Sequence, residues 1–248
     1  MGEHTIREIL KRRSDDTQRV IRRRRDRATK SVHRRGKSYW VLTTMVIIVL
    51  VIITAIAYVG WLTRSVNERF MADRSANATG HNGLNLTLQS TTQFLPNTLL
   101  AATDPNFYND SNLTISPLTS RLVRMYFPND SRFAVIVKSV ALQFGYSRTD
   151  ILETYINDVS FGVNADQLIR GFASASQIYF KKPFSQLQPQ DVAMLVALAT
   201  DAEDADPRTN PEEALAMRNA VLQMDAQQDV LSQAQVDAFK KSPLGLAP

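Results

Sequence analysis

SRTDILETYINDVSFG, residues Ser147 to Gly162, decides how the rest of the chain is read. Ser147 and Asp150 have the spacing of a capping box, in which each side chain satisfies the other's orphaned backbone N–H. Ile151, Leu152 and Tyr155 then recur at helical intervals, so the spacing predicts a helix over 148–157. Outward from it the same punctuation repeats. Asn210-Pro211-Glu212-Glu213 offers an N-cap, a proline at the first helical position and acids in the first turn. Ser232 with Gln235 repeats the capping-box spacing, and Pro189 with Asp191 opens the apolar run VAMLVALA. Helices are predicted near 97–104, 116–127, 131–145, 148–157, 166–179, 189–199, 211–228 and 232–240. No run alternates clearly enough to be a strand, so the class expected is all-α. Phe133, Ile136, Val137, Val140, Leu142, Phe144, Leu195, Val196, Leu198, Val221 and Leu222 join Ile151, Leu152 and Tyr155 as a candidate core for one domain.

Tyr39 to Leu62 is an uncharged run of 24 residues. At 1.5 Å per residue it is long enough to cross a hydrocarbon layer of roughly 30 Å. Tyr39, Trp40, Tyr58 and Trp61 stand at its two ends, where amphipathic rings favour the headgroup level. The competing reading, a cleaved signal peptide, has a shorter apolar core followed by a small-residue cleavage site. Residues 1–38 hold 14 Lys or Arg against five acids, a net of +9, while everything after them carries −4. The positive-inside rule then predicts a cytoplasmic tail and an outer domain. A basic segment beside a span fits anionic lipid headgroups; the RRRR stretch at Arg22 to Arg25 also resembles an arginine-rich nucleic-acid arm, the less favoured reading.

The 248 residues contain no cysteine, which removes disulfides and thiol nucleophiles. His4, His33 and His81 all precede the domain, so no histidine-based triad or zinc site belongs to it. The expected organisation is a basic tail (1–38), a transmembrane helix (39–62), a juxtamembrane segment with a polar linker (63–92) and the folded domain (93–248). Ser75 to Thr92 has linker composition and predicts slack between membrane and domain. Asn-x-Ser/Thr triplets at Asn77, Asn85, Asn109, Asn112 and Asn129 are weak, accidental matches to a glycosylation signal.

The opening stretch resembles the Lys-x-x-Ile-Leu-Glu-x-Tyr-Leu-Asn motif of family 51 glycosyltransferases, the peptidoglycan polymerases. The likeness continues through IRGFASASQIYF (169–180), LQPQDVAMLVALA (187–199), NPEEALAMRNAVLQM (210–224) and SPLGL (242–246). It is closest to the proteobacterial class A penicillin-binding proteins, without a transpeptidase domain after it. The resemblance implies a lysozyme-like helical domain outside the bacterial inner membrane, single-pass and periplasmic, meeting lipid II or peptidoglycan. It implies no organic cofactor. Family chemistry needs a glutamate as general base, a second carboxylate, and cations on the departing pyrophosphate.

Each requirement meets the wrong residue. The motif Glu-Asp-x-x-Phe-Tyr-x-His aligns with residues 103–110, so Thr103 stands at the catalytic glutamate. Losing a positioned base costs about 10² to 10⁴ in rate. Asp104 is the substitute to consider, although a helical neighbour points about 100° away. The motif Gly-Gly-Ser-Thr-Ile-Thr-Gln-Gln aligns with residues 114–121, keeping Ser116 and Thr119 and losing both glutamines. Only the five residues Ser111 to Ile115 separate Ser116 from Asp110, where the family has a longer mobile loop. In the motif Arg-Lys-x-x-Glu the second carboxylate is replaced by Val135, read as a core or groove aliphatic. The lysine after the VAMLVALA helix becomes Thr200, followed by Asp201, Glu203, Asp204 and Asp206. Those acids repel pyrophosphate; Asp201, Glu203 and Asp206 are weak candidates for a divalent cation, solvated loop acids being commoner. Ser116, Thr119, Arg121, Arg124, Arg132 and Arg148 remain as candidate contacts to phosphate or headgroups in a residual cleft.

The reading that follows is a catalytically inactive relative, anchored in the membrane as a scaffold or regulator among protein partners of the cell envelope. The alternative is a divergent but active lipid II polymerase using Asp104 and a metal. A lysozyme-like hydrolase would need a carboxylic acid of raised pKa. Its one scaffold candidate, Glu153, is expected to be a structural helix–helix contact.

Overall fold

The computed structural model describes residues 3–79, 85–89, 91, 93–164, 167–200 and 207–247. Contacts divide the chain into Met1–Tyr58 and Val59–Pro248. Helix α1 (Glu3–Thr79) supplies the whole described part of the first unit. The stretch Tyr39–Ser75 is long and apolar enough to cross a membrane by length and composition, and its uncharged part ends at Leu62, two residues before Arg64.

In the second unit α1 is followed by α2 (Phe94–Thr103), α3 (Pro117–Tyr126), α4 (Arg132–Gly145), α5 (Arg148–Asp158), strands β1 (Ser160–Asn164) and β2 (Gln167–Arg170), α6 (Phe172–Phe180), a 3-10 turn at Phe184–Gln186, α7 (Pro189–Thr200), α8 (Pro211–Gln227) and α9 (Gln233–Lys240). Seven predicted helices appear within a few residues of their expected limits. Both capping boxes form, at Ser147 with Asp150 and at Ser232 with Gln235. At α8 the proline and the two glutamates start the helix as expected, but the Asn210 side chain makes no capping bond.

The helix predicted over 166–179 begins only at Phe172, because residues 160–170 form an antiparallel hairpin with Ser160 opposite Arg170 and Val163 opposite Leu168. Gly162 and Gly171, at φ +88° and +78°, supply the backbone that an α-helix cannot. The all-α expectation therefore holds with one small hairpin added. Gly171 N–H donates to the Val159 carbonyl at 2.8 Å and ties the hairpin to the end of α5.

The core is built around α7, buried continuously from Asp191 to Ala199. A helix apolar on every side must be central, and α7 packs on α8 and α2. From the predicted core list, Leu142, Ile151, Leu152, Tyr155, Leu195, Val196, Leu198, Val221 and Leu222 are buried, whereas Phe133, Ile136 and Phe144 lie exposed along α4. Leu62, Val66 and Phe70 of α1 are closed to solvent, the last two in the same apolar cluster as α2 and α5. Phe70 meets Tyr146 with ring centroids 4.2 Å apart. The folded unit thus takes in the stretch after the apolar run, and α1 runs on to Thr79, into the segment expected to be slack.

Candidate functional site

The catalytic position of the first motif closes α2. Thr103 Oγ donates to the Leu99 carbonyl at 2.6 Å, so the hydroxyl is spent within its own helix. Asp104 follows as the C-cap residue, 3% exposed. Its carboxylate accepts from Ser116 Oγ and from the Leu118 N–H at 3.4 Å. That is a carboxylate at a helix N-terminus, where the exposed N–H groups and the helix dipole favour negative charge. Asp104 caps α3 and does not face a cleft as a free base.

Ser116 is the N-cap of α3: its Oγ accepts the Thr119 N–H at 3.1 Å while donating to Asp104. Ser116 and Thr119 are 1% and 0% exposed. The Ser116 hydroxyl is committed to the cap, and the Thr119 hydroxyl is buried with no hydrogen-bond partner among the described residues. Val135 is 2% exposed within the main apolar cluster, in agreement with its aliphatic reading.

The four arginines do not converge. Arg121 Nη1 donates to the Thr200 carbonyl at 2.9 Å, reaching from α3 to the end of α7, and its charge faces the buried Tyr155 phenol. A cation therefore does stand beside the position of the family lysine, supplied by another helix. Arg148 donates to the carbonyls of Asp110 and Ser111 at 3.2 and 3.3 Å and lies 5.1 Å from the Phe107 ring centroid. Arg124 and Arg132 are exposed. The acidic residues Asp201, Glu203 and Asp206 lie outside the described residues, and among those described no acid or histidine cluster could hold a metal ion.

Sequence reasoning missed Gln143. On α4, 2% exposed, it accepts the Ser116 N–H at 3.0 Å and donates to the carbonyls of Asn112 and Thr114 at 2.9 and 2.8 Å. Together Gln143 and Arg148 fasten the shortened 110–116 segment to α4 and α5. The available signal was a polar set, Lys138, Ser139 and Gln143, on the same face of α4 as Val135 and Leu142. Lys138 is its companion, 1% exposed, paired with Asp130 at 2.8 Å and lying 3.3 Å from the Phe127 ring centroid.

Glu153 has a structural role of a different kind from the one expected. Its Oε1 accepts the Leu88 N–H at 2.8 Å, and Asn157 exchanges two bonds with the Leu86 backbone. The carboxylate thus holds an extended strap onto α5, beside an open pocket of about 270 Å³. A second recess, of about 140 Å³, lies between α2, α7 and α8 and is lined by Ala102, Thr200, Met217 and Met224 among others, with no carboxylate.

Residues 115–225 match the family model described as Transglycosylase. Penicillin-binding protein 1B of Escherichia coli (strain K12) is 32% identical over 184 residues, 62% of this chain and 21% of that protein. Penicillin-binding protein 1C of the same strain is 31% identical over 137 residues, 54% of this chain and 17% of that protein. The chain thus spans about a fifth of the length of the curated relatives it matches. Among solved structures, penicillin-binding protein 1A from Haemophilus influenzae aligns over 66% of this chain and 18% of its own, at 20% identity and a TM-score of 0.44. The family match runs from the start of α3 into α8, and that part of the chain is a transglycosylase-family domain.

Proposed function

We propose that this protein is a catalytically inactive peptidoglycan glycosyltransferase-like protein, held in the bacterial inner membrane by α1 with its tail cytoplasmic and its domain periplasmic. It acts as a scaffold or regulator for protein partners in cell-wall synthesis or in an envelope-spanning assembly. The carrying observation is the state of the two carboxylate positions: Thr103 bonded into its own helix and Val135 buried in the core. Asp104, the one nearby substitute, is committed to the N-terminus of α3. The fastened 110–116 segment supports the same reading, because it fixes the region where the family has a mobile lid. Anionic lipid is the partner of the basic tail, at about 1 kcal/mol per basic residue near the surface.

The test is lipid II polymerisation and direct lipid II binding by the full chain in detergent, with and without Mg²⁺ or Mn²⁺. The expected result is no glycan in any condition. Glycan chains would overturn the proposal and point to Asp104; binding without turnover would make the scaffold a substrate sensor.

A further inference from the structure

The turns of α1 beyond the apolar run carry charge into the folded unit. Arg69 Nε pairs with Asp73 Oδ2 at 3.1 Å, and its guanidinium lies 5.5 Å from the Tyr126 ring centroid. The Tyr126 hydroxyl, at the end of α3, donates to Asp158 Oδ2 on α5 at 2.8 Å. Arg69 links Asp73 to the same ring, which brings the Asp73 carboxylate close enough to feel the charge of Asp158. The two carboxylates are 8% and 3% exposed. Asp73 therefore faces Asp158 and Tyr126 across the helix interface, with Arg69 of its own helix and Arg170 of β2 as the opposing cations. In the two turns nearer the apolar run, Val66 and Phe70 provide the apolar part of the same contact. The neighbouring Arg74 pairs with Asp150 of α5.

We propose that Asp73, Tyr126 and Asp158 form a proton-sensitive clamp that sets how firmly the juxtamembrane helix is docked on the domain. Two carboxylates around one phenol cannot both be satisfied by its single proton. Adding a proton to Asp73 removes the repulsion and supplies a second donor.

Burial, and then Asp158, push the Asp73 carboxyl above its ordinary range, against the pull of Arg69 and Arg170. A carboxyl raised in the docked state contributes stability that is fully present below its undocked pKa, near 4. That stability is lost as pH rises through the docked value. Docking is accordingly tightest in acid and loosens toward neutral pH. The clamp operates whether or not the domain polymerises glycan.

The chain has no cysteine, so a single introduced thiol reports local opening without background. Val66→Cys places one under the clamp, and Ala193→Cys, in buried α7, reports global unfolding. Each full-length variant is labelled in detergent with a methanethiosulfonate reagent at several pH values, and the rates are corrected for thiolate fraction. The expected result is that the Val66→Cys thiol opens more readily than the Ala193→Cys thiol, and that the ratio grows with pH. Asp73→Asn should flatten the ratio. Should that variant unfold, seen as free labelling of Ala193→Cys, then Asp158→Asn, which removes the repelling partner, should reduce the slope. A ratio independent of pH overturns the clamp, as does a slope unchanged in the variant that folds.

Discussion

Gln143 holds Ser116 through the backbone, its Oε1 accepting the Ser116 N–H at 3.0 Å while Nε2 donates to two carbonyls of the preceding segment. One buried side chain thus fixes the segment that enters α3. Gln143→Ala is expected to destabilise the domain by about 2 kcal/mol, since each freed buried group costs roughly 1 to 3 kcal/mol less whatever water recovers. Hydrogen exchange should show the loss of protection centred on residues 111–116. Protection unchanged there would mean that Arg148 alone fastens the segment.

Arg218 is the largest fully buried side chain among the described residues, 1% exposed. It donates to the carbonyls of Lys240, Ser242 and Pro243 at 3.1, 2.8 and 3.2 Å, tying α8 to the chain after α9. Arg218→Met keeps much of the bulk and removes the fork. The expected cost is about 3 kcal/mol, with new proteolytic cleavage near residues 240–247. Arg218→Lys should recover only part of it, because an ammonium cannot span three carbonyls.

Asp225 gives the domain a dependence on pH. It is 0% exposed, Thr98 Oγ donates to its Oδ2 at 3.1 Å, and its Oδ1 has no partner among the described residues. Burial pushes its carboxyl up to about 7, only partly offset by the Thr98 bond. The folded value lies above the unfolded one, so stability is greatest below about pH 4 as far as this group is concerned. It is lost as pH rises through 7. The loss is on the order of 2 to 4 kcal/mol. Urea denaturation of Asp225→Asn should show that slope removed; an unchanged slope would place the titrating group elsewhere.

Gly171 sits at φ +78°, and a Cβ there would lie 2.5 Å from the Asn157 carbonyl oxygen. Gly171→Ala adds backbone strain to that collision, so a cost above about 2 kcal/mol is expected. Because Asn157 also holds the Leu86 backbone, the variant should expose residues 85–89 to protease. Release of the strap without loss of thermal stability would separate the two roles.

The helices were legible because caps are local: Ser147 with Asp150 and Ser232 with Gln235 need only their own turn. The hairpin was not, since Ile169 and its neighbours fit a helical run, and only the contact of Gly171 with Asn157 and Val159 imposes the turn. At the candidate site the replacements at Thr103 and Val135 were readable as residue types. The commitments of Asp104, Ser116 and Gln143 to one another were not, because they join three helices. The exposed Phe133, Ile136 and Phe144 show the same limit, as apolar spacing gives a face but not whether the fold covers it.

Restoring the two family carboxylates is the sharpest test of how deeply the site has changed. Thr103→Glu enters a half-buried position at the end of α2. Val135→Glu must place a charge where the native side chain is 2% exposed within the main apolar cluster. An unpaired buried carboxylate is held neutral or disrupts its surroundings, so this change is expected to cost more than about 3 kcal/mol. The double variant should show no polymerisation of lipid II, even where circular dichroism finds it folded, because the fastened 110–116 segment leaves no lid. Adding Gln143→Ala to release that segment should still yield no glycan, because the Arg121 guanidinium at the lysine position is engaged with the Thr200 carbonyl and is not free to hold a pyrophosphate. Robust synthesis by the double variant would show that the domain lost its activity through two residues alone.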